Sequence, residues 1–151
     1  MVNSNIEGIV LTKLKQIHDE RGSVLHMIRS DSKEFVKFGE CYFSEVLPKK
    51  IKAWKCHRLQ TQNLAVPVGI IKIVIYDSRE NSNSKGLIEE FTIGRNHNYL
   101  RIKIPPGLWY GFSCLSNEKA LLVNCSDLPH DQNESETKEI NDPSIPYSWN
   151  I

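Results

Sequence analysis

The sequence predicts an all-β protein, built as a jelly roll from a single domain. Residues 69–76 and 99–104 are rich in β-branched and apolar side chains, and they alternate with the period typical of strands that bury one face. Clusters of turn-forming residues, such as 77–86 and 94–98, separate these segments. Many short strands at regular spacing favour a sandwich or a jelly roll. The predicted domain spans residues 1–151, a length that suits one continuous core.

Strand-like segments follow one another along the chain, and their alternation assigns their faces. In residues 99–104 the apolar side chains are predicted to point inward, with Arg101 and Lys103 outward. This strand should end at Pro105 and Pro106, because proline has no N–H for the ladder. The predicted strands are residues 23–28, 40–46, 52–57, 64–67, 69–76, 89–93, 99–104, 108–114 and 120–124.

Two segments depart from this strand pattern. Residues 32–38 are predicted to form a short helix. Residues 130–140 are polar and acidic, whereas the residues that follow include Pro143, Pro146, Tyr147 and Trp149. This change in composition predicts a mobile segment at 130–140 whose end docks back on the body of the protein.

The composition and the apolar runs of the chain argue against a nucleic-acid partner and a membrane span, and they indicate a cellular location. Lys and Arg number 19 and Asp and Glu 18, so the net charge is +1, and a nucleic-acid partner is not expected. A compact anionic ligand needs only two or three cations and remains possible. The longest apolar run, near residues 68–76, is too short to span a bilayer. The start of the chain lacks a signal-peptide pattern and the four cysteines are widely separated, which predicts a cytoplasmic protein with reduced thiols.

His57 is the first candidate for a chemical role. It ends the strand pattern 52–57, in which Trp54 and Cys56 share one face and Lys55 and His57 share the other. In a jelly roll that second face can line the interior, where a histidine beside a cation can bind and deprotonate an anionic substrate. From the spacing alone, a surface or core histidine with no catalytic role is the more common case.

No metal site is predicted around His57. Metal-dependent proteins of the expected fold need an H-x-H pair and a third histidine, but position 59 is Leu59. Gln60, Gln62 and their neighbours are poor ligands for first-row metals, and the other histidines are scattered without ligand spacing.

Two further stretches contain candidate residues. Trp109 and Tyr110 directly follow the turn at 105–107 and are typical either of a binding surface or of the packed corner of a β-sheet. Asp142, in Asn141-Asp142-Pro143, can orient a histidine by accepting its N–H, but the same tripeptide is typical of an ordinary turn.

Five motifs in order along the chain resemble those of the dTDP-4-dehydrorhamnose 3,5-epimerase family, which has the cupin-type jelly roll, a double-stranded β-helix. The family's D-x-R-G turn is matched by residues 19–22, and its R-G-x-H strand is similar to 55–57, with Lys55 near the arginine. Its G-x-x-x-D-V-x-V-D strand, its P-x-G-F-A-H-G-F turn and its W-N-D-P motif are similar to residues 69–77, 105–112 and 140–143. The resemblance extends over nearly the whole chain.

The resemblance implies an epimerase that acts on a nucleotide-activated 4-keto-6-deoxy sugar. His57 would abstract a proton next to the ketone, Asp142 would orient His57, and Arg21 and Lys55 would bind the substrate diphosphate. Trp109 is included as a candidate substrate-binding residue. No cofactor is expected, because the carbonyl of the substrate accepts the electron pair. Family members are usually dimers that exchange an N-terminal strand, so a homodimer is expected.

Three positions depart from the family pattern. The active-site lysine falls on Gln62, which can donate a hydrogen bond but carries no charge. The tyrosine acid falls near Val123, and the histidine of the P-x-G-F-A-H-G-F turn is replaced by Tyr110. Tyr110 is therefore expected to supply the acid from a new position, which favours a single epimerised centre or a different sugar.

These departures leave two other functions open. A protein that binds a nucleotide sugar without catalysis would have kept the cavity and lost the chemistry. A sugar 3,4-ketoisomerase shares the D-x-R-G opening but usually has an H-x-H pair, in place of which this chain has His57-Arg58-Leu59.

Overall fold

A computed structural model describes residues 3–150 and shows two five-stranded antiparallel sheets that face each other, with a separate two-stranded hairpin. The first sheet has the strand order β1-β9-β6-β11-β4, the second has the order β12-β5-β10-β7-β8, and β2 pairs with β3. The strands are β1 (Val10–Lys13), β2 (Gln16–Asp19), β3 (Gly22–Leu25), β4 (Glu40–Val46), β5 (Ile51–His57), β6 (Gln62–Val68), β7 (Ile70–Asp77), β8 (Ile88–Gly94), β9 (Leu100–Ile104), β10 (Leu108–Cys114), β11 (Ala120–Ser126) and β12 (Ser135–Thr137).

The main core lies between the two sheets. Ile71, Ile73 and Ile75 of β7 are fully buried in it, as their shared face predicts. Leu100 and Ile102 of β9 enter the same cluster from the first sheet. Burial of a branched apolar side chain contributes about 1.5–3 kcal/mol, so these alternating residues hold the sheets together.

The outer faces of both sheets are also covered. On the second sheet, Trp54, Val74 and Trp109 pack beneath Ile145 and the aromatic residues near the end of the chain. On the first sheet, the guanidinium of Arg101 donates to the carbonyl oxygen of Met27 at 3.2 Å. Arg101 points away from the core as predicted, but it is buried rather than exposed, because the segment after β3 covers it.

One local prediction needs correction, the helix at residues 32–38. Residues 32–38 form turns and irregular backbone in place of a helix, with one hydrogen bond from the Phe35 N–H to the Ser32 carbonyl oxygen. Residues 130–140, expected to be mobile, contain β12, which pairs with β5 and places Ser135 opposite His57. Most residues of this segment are exposed, but Glu134 is buried and has hydrogen-bond partners.

The turn between β9 and β10 fixes the end of β5. It contains Gly107, whose φ is 89°, a conformation that favours glycine. The Gly107 N–H donates to the backbone oxygen of His57 at 2.7 Å. This bond ties His57 to the strand that carries Tyr110.

Residues 3–150 contain no helix long and apolar enough to cross a membrane.

Candidate active site

A cavity of about 750 Å³ opens between the two sheets near the start of β5 and the middle of β11. Its size lies within the range of cavities that bind small molecules and cofactors. Both sheets contribute to its wall, together with the segment that follows β12. The lining residues are Tyr42, Ser44, Lys52, Ala53, Trp54, Lys55, Leu64, Tyr110, Phe112, Leu122, Asn124, Thr137, Lys138, Glu139 and Asp142.

His57 is buried behind this wall and held from both sides. Its Nδ1 is hydrogen-bonded to Oε1 of Glu134, and its Nε2 lies 3.2 Å from Oη of Tyr110. His57 and Glu134 are 5% and 6% exposed. Because an ionised carboxylate accepts only, Nδ1 carries the proton and Nε2 is left as the acceptor. The pair therefore fixes the tautomer in which Nε2 can take up a proton.

The electrostatics keep the histidine neutral and its partner charged. Burial lowers the pKa of His57 below its ordinary value, although the hydrogen bond to Glu134 acts in the opposite direction. Burial alone would raise the pKa of Glu134, but the hydrogen bonds from His57 and from the N–H groups of Leu59 and Gln60 hold that pKa below its usual value. A neutral imidazole beside a fixed anion is the form of a general base.

Tyr110 connects the buried pair to the cavity. Its ring is stacked on that of His57, with centroids 6.0 Å apart and planes 18° apart. Burial raises the pKa of Tyr110 far above its ordinary value, so the phenol keeps its proton. In this arrangement the Tyr110 hydroxyl donates to Nε2 of His57. It lies on the same side of the cavity as the histidine.

Two lysines of β5 reach the cavity together. Lys55 is directly opposite Tyr110 in the pairing of β5 with β10, and Lys52 is opposite Phe112. The pairing contains an irregularity between these two positions. It inserts one extra residue in β5, so that residues three apart face the same side. The cavity thus has two cations on one wall.

The opposite wall carries a connected set of polar side chains. Nδ2 of Asn124 donates to Oη of Tyr42 at 2.9 Å and also to Oε1 of Gln62. Nε2 of Gln62 then donates to Oε1 of Gln60 at 3.0 Å. Gln62, which occupies the position of the family lysine, is buried and holds Asn124 in place.

Three of the predicted site residues do not have the contacts expected of them. Trp109 lies on the outer face of β10, where Nζ of Lys138 is 4.7 Å from its ring centroid. Arg21 is exposed in the turn between β2 and β3 and pairs with Asp19 at 2.8 Å. Asp142 lines the cavity, but its carboxylate accepts from the N–H and hydroxyl of Ser144. The orienting role predicted for Asp142 is therefore corrected, because Glu134 occupies the Nδ1 side of His57.

The geometry offers little to a metal ion. His57 and Glu134 are adjacent, but within residues 3–150 no group of three His, Cys, Asp or Glu side chains converges as a metal site would require.

Sequence reasoning missed three residues that the fold brings to this region. Glu134 is 77 positions from His57, in a segment whose polarity resembles that of exposed chain. Lys52 was missed because simple alternation places it on the other face of β5. Tyr42 belongs to β4, a strand that was predicted but carried no motif. No signal in the sequence marks Glu134, because its neighbours are as polar as those of exposed chain.

The chain is similar to proteins of known type over almost its whole length. The family model for dTDP-4-dehydrorhamnose 3,5-epimerase matches residues 3–151. The probable low-salt glycan biosynthesis epimerase Agl13 of Haloferax volcanii is 34% identical over 90% of this chain and 88% of its own.

The chain is also similar to solved structures over almost its whole length. The dTDP sugar isomerase of Desulfovibrio desulfuricans G20 is 52% identical, with a TM-score of 0.93 over 95% of this chain and 92% of that chain. The dTDP-4-dehydrorhamnose 3,5-epimerase of Elizabethkingia anophelis NUHP1 is 20% identical, with a TM-score of 0.82 over 99% and 85% of the two chains. The predicted all-β, cupin-type fold is thereby confirmed. The chain belongs to the dTDP-4-dehydrorhamnose 3,5-epimerase family.

Proposed function

We propose that this protein epimerises a nucleotide-activated 4-keto-6-deoxy sugar at a carbon next to the ketone, with His57 as the base. The observation that carries the proposal is the buried triad of Glu134, His57 and Tyr110 at the wall of a cavity large enough for a sugar. Membership of an epimerase family supports the same class of reaction.

The first step is removal of a proton from the carbon next to the carbonyl group. Nε2 of His57 accepts this proton, the C–H bond breaks and its electron pair enters the enolate. Glu134 then faces an imidazolium, and the neutral–anion pair becomes an ion pair inside the protein. No cofactor is required for this step, because the ketone accepts the electron pair.

Tyr110 is suited to stabilise the enolate. A phenol with a strongly raised pKa is a hydrogen-bond donor and not a base. Its hydroxyl donates to Nε2 of His57 at 3.2 Å, so a substrate whose C–H approaches Nε2 must displace it. The neighbouring carbonyl oxygen is the nearest new acceptor, and the negative charge develops on that atom. We therefore assign Tyr110 to the oxygen of the enolate, in place of the acid role expected from the sequence.

The nucleotide end of the substrate is assigned to the lysines of the same wall. Lys55 and Lys52 line the cavity, and ammonium groups are suited to bind phosphate as point charges. Arg21 is exposed and paired with Asp19, so we assign the diphosphate chiefly to Lys55.

The homodimer and the cytoplasmic location stay predictions. The edge strand β4 presents Phe43, which is 66% exposed, and an exposed apolar edge is typical of a strand that pairs with another chain. The four cysteines are free thiols, a state typical of proteins in reducing compartments.

Turnover of a dTDP-4-keto-6-deoxyhexose by wild type and Tyr110→Phe tests the proposal. NMR of the product should show inversion at one or both carbons next to the ketone. Tyr110→Phe should turn over about 10²-fold more slowly, since one donor to the enolate is lost. An unchanged rate would remove Tyr110 from the mechanism. Binding of the nucleotide sugar to the wild type without any turnover would favour the non-catalytic binding protein.

A further inference from the structure

Inversion of a carbon centre requires proton transfer on both faces of the enolate, and the described triad serves only one. His57 and Tyr110 are 3.2 Å apart and their rings are stacked. A sugar ring does not fit between them in that arrangement, so both groups approach the substrate from the second sheet. A second proton donor must therefore come from the opposite wall.

The first sheet offers few groups with a proton to give. It contributes five side chains to the cavity wall: Tyr42, Ser44, Leu64, Leu122 and Asn124. Two of these are apolar and Asn124 is an amide. The Ser44 hydroxyl accepts from Nζ of Lys52 at 2.8 Å, and an aliphatic hydroxyl is a far weaker acid than a phenol. Tyr42 is the remaining group of suitable acidity.

The hydrogen bonds around Tyr42 leave its proton available. Asn124 lies directly opposite Tyr42 in the pairing of β11 with β4, and Nδ2 of Asn124 donates to the Tyr42 oxygen at 2.9 Å. The amide cannot be turned around without loss, because its Oδ1 accepts from the Asn63 N–H at 3.3 Å. The Tyr42 oxygen is therefore an acceptor from the wall, and its own O–H is free to donate into the cavity.

We propose that Tyr42 is the catalytic acid that protonates the enolate on the face opposite His57. This assignment rests on the proposed function. The Tyr42 O–H bond breaks, the proton forms the new C–H bond, and the enolate electron pair moves to that bond as the ketone is restored. The hydrogen bond from Asn124 stabilises the phenolate that forms. Tyr42 is 39% exposed, so it regains a proton from solvent while His57 releases one, and no oxidant or reductant is involved.

Tyr42 lies opposite Asn124, and both side chains line the cavity. Val123, near which the family tyrosine falls, instead packs with Leu14, Ala65 and Tyr99. Burial raises the pKa of Tyr42, which keeps it protonated at neutral pH.

The test separates proton removal from inversion. Wild type and Tyr42→Phe are incubated in heavy water with a dTDP-4-keto-6-deoxyhexose, and NMR follows both deuterium incorporation next to the ketone and the inverted product. Tyr42→Phe should keep exchange within about fivefold, with configuration retained, while the inverted product forms about 10²-fold more slowly. Tyr76→Phe, on the outer face of the second sheet, is the control and should match the wild type.

Each other outcome overturns a different statement. If Tyr42→Phe inverts the substrate at the wild-type rate, or loses exchange and inversion equally, Tyr42 is not the acid while the role of His57 stands. If the wild type itself neither exchanges nor inverts, the proposed function fails and the role of Tyr42 fails with it.

Discussion

The imidazole of His57 is buried between a carboxylate and a phenol, and each partner has a separate effect. Glu134 fixes the proton on Nδ1 and provides the counter-charge for the imidazolium that proton transfer creates. Burial keeps the resting imidazole neutral. The neutral imidazole is therefore in the form that can accept a proton at neutral pH.

Replacement of Glu134 by Gln should lower activity and shift its pH dependence. In the wild type kcat/KM should rise with pH through an apparent pKa below the ordinary histidine value of about 6.5, because His57 must be neutral. Glu134 acts to raise the pKa of His57, so Glu134→Gln should move this limb to still lower pH. The plateau should fall about 10²-fold, since the imidazolium loses its counter-charge.

The measurement is kcat/KM between about pH 5 and pH 8. Glu136→Gln is the matched control, because Glu136 lies two residues beyond Glu134, in β12, but is exposed and pairs with Arg58 at 2.6 Å. If the plateau of kcat/KM falls but its acid limb stays at the wild-type pH, Glu134 supports the structure and does not set the pKa of His57.

Individual site residues were predictable where a strand pattern contained them. Alternation in β5 predicted that Lys55 and His57 share the interior face. The turn at 105–107 drew attention to Tyr110, which follows it closely in β10. Glu134 was not predictable, because local polarity does not reveal that a distant strand adds to the edge of the sheet beside His57. The orienting role expected of Asp142 was wrong, because Glu134 holds Nδ1 of His57 and the Asp142 carboxylate accepts from the neighbouring Ser144.

The connection between β7 and β8 is organised by one buried carboxylate. Asp77, at the end of β7, is fully buried and accepts from Nη2 of Arg79 at 2.8 Å and from the Ser84 hydroxyl at 2.6 Å. Arg79 also donates to the Glu7 carbonyl oxygen at 2.7 Å, so the N-terminal segment is joined to the same group. Burial alone would raise the pKa of Asp77, but the bonds from Arg79, Ser82 and Ser84 hold that pKa well below its usual value.

Asp77→Asn should destabilise the fold by roughly 3 kcal/mol at neutral pH, because Arg79 loses its buried counter-charge. The folded-state pKa of Asp77 is depressed, so its contribution is present above the unfolded value of about 3.9 and is lost as pH falls below it. The difference in unfolding free energy between wild type and variant should thus shrink below about pH 4. Urea unfolding of both proteins at neutral and acidic pH measures this difference in unfolding free energy.

Asp31→Asn serves as the control for this comparison. Asp31 pairs with Arg29 at 2.5 Å, but both side chains are about two-thirds exposed, at 65% and 64%. Its replacement should therefore change the unfolding free energy far less than Asp77→Asn does. If Asp77→Asn lowers the unfolding free energy by the same amount at neutral and acidic pH, the charge-based explanation is contradicted.

The positions of the strands along the chain were predictable from the sequence, but the pairing of strands within the sheets was not. All nine predicted strand segments overlap strands of the structure, because alternation and turn residues are local signals. Pairing depends on contacts between distant segments, such as β1 with β9 and β12 with β5. The irregularity in β5 that brings Lys52 to the cavity leaves no mark in the residue pattern.

The two sheets give the cavity two chemically different walls. The second sheet contributes His57, Tyr110 and two lysines, while the first contributes Tyr42, which is supported by Asn124 and Gln62. An enolate is planar, so a base on one face and an acid on the other are what inversion requires. Packing of the two sheets around their shared core is therefore what makes the arrangement possible.

The most direct measurement of the central claim is deuterium incorporation from heavy water next to the ketone of a dTDP-4-keto-6-deoxyhexose, with His57→Gln as the comparison at matched saturation. The wild type should incorporate deuterium, and His57→Gln should bind the substrate yet exchange at least about 10²-fold more slowly. Undiminished exchange in His57→Gln would contradict the assignment of His57 as the base.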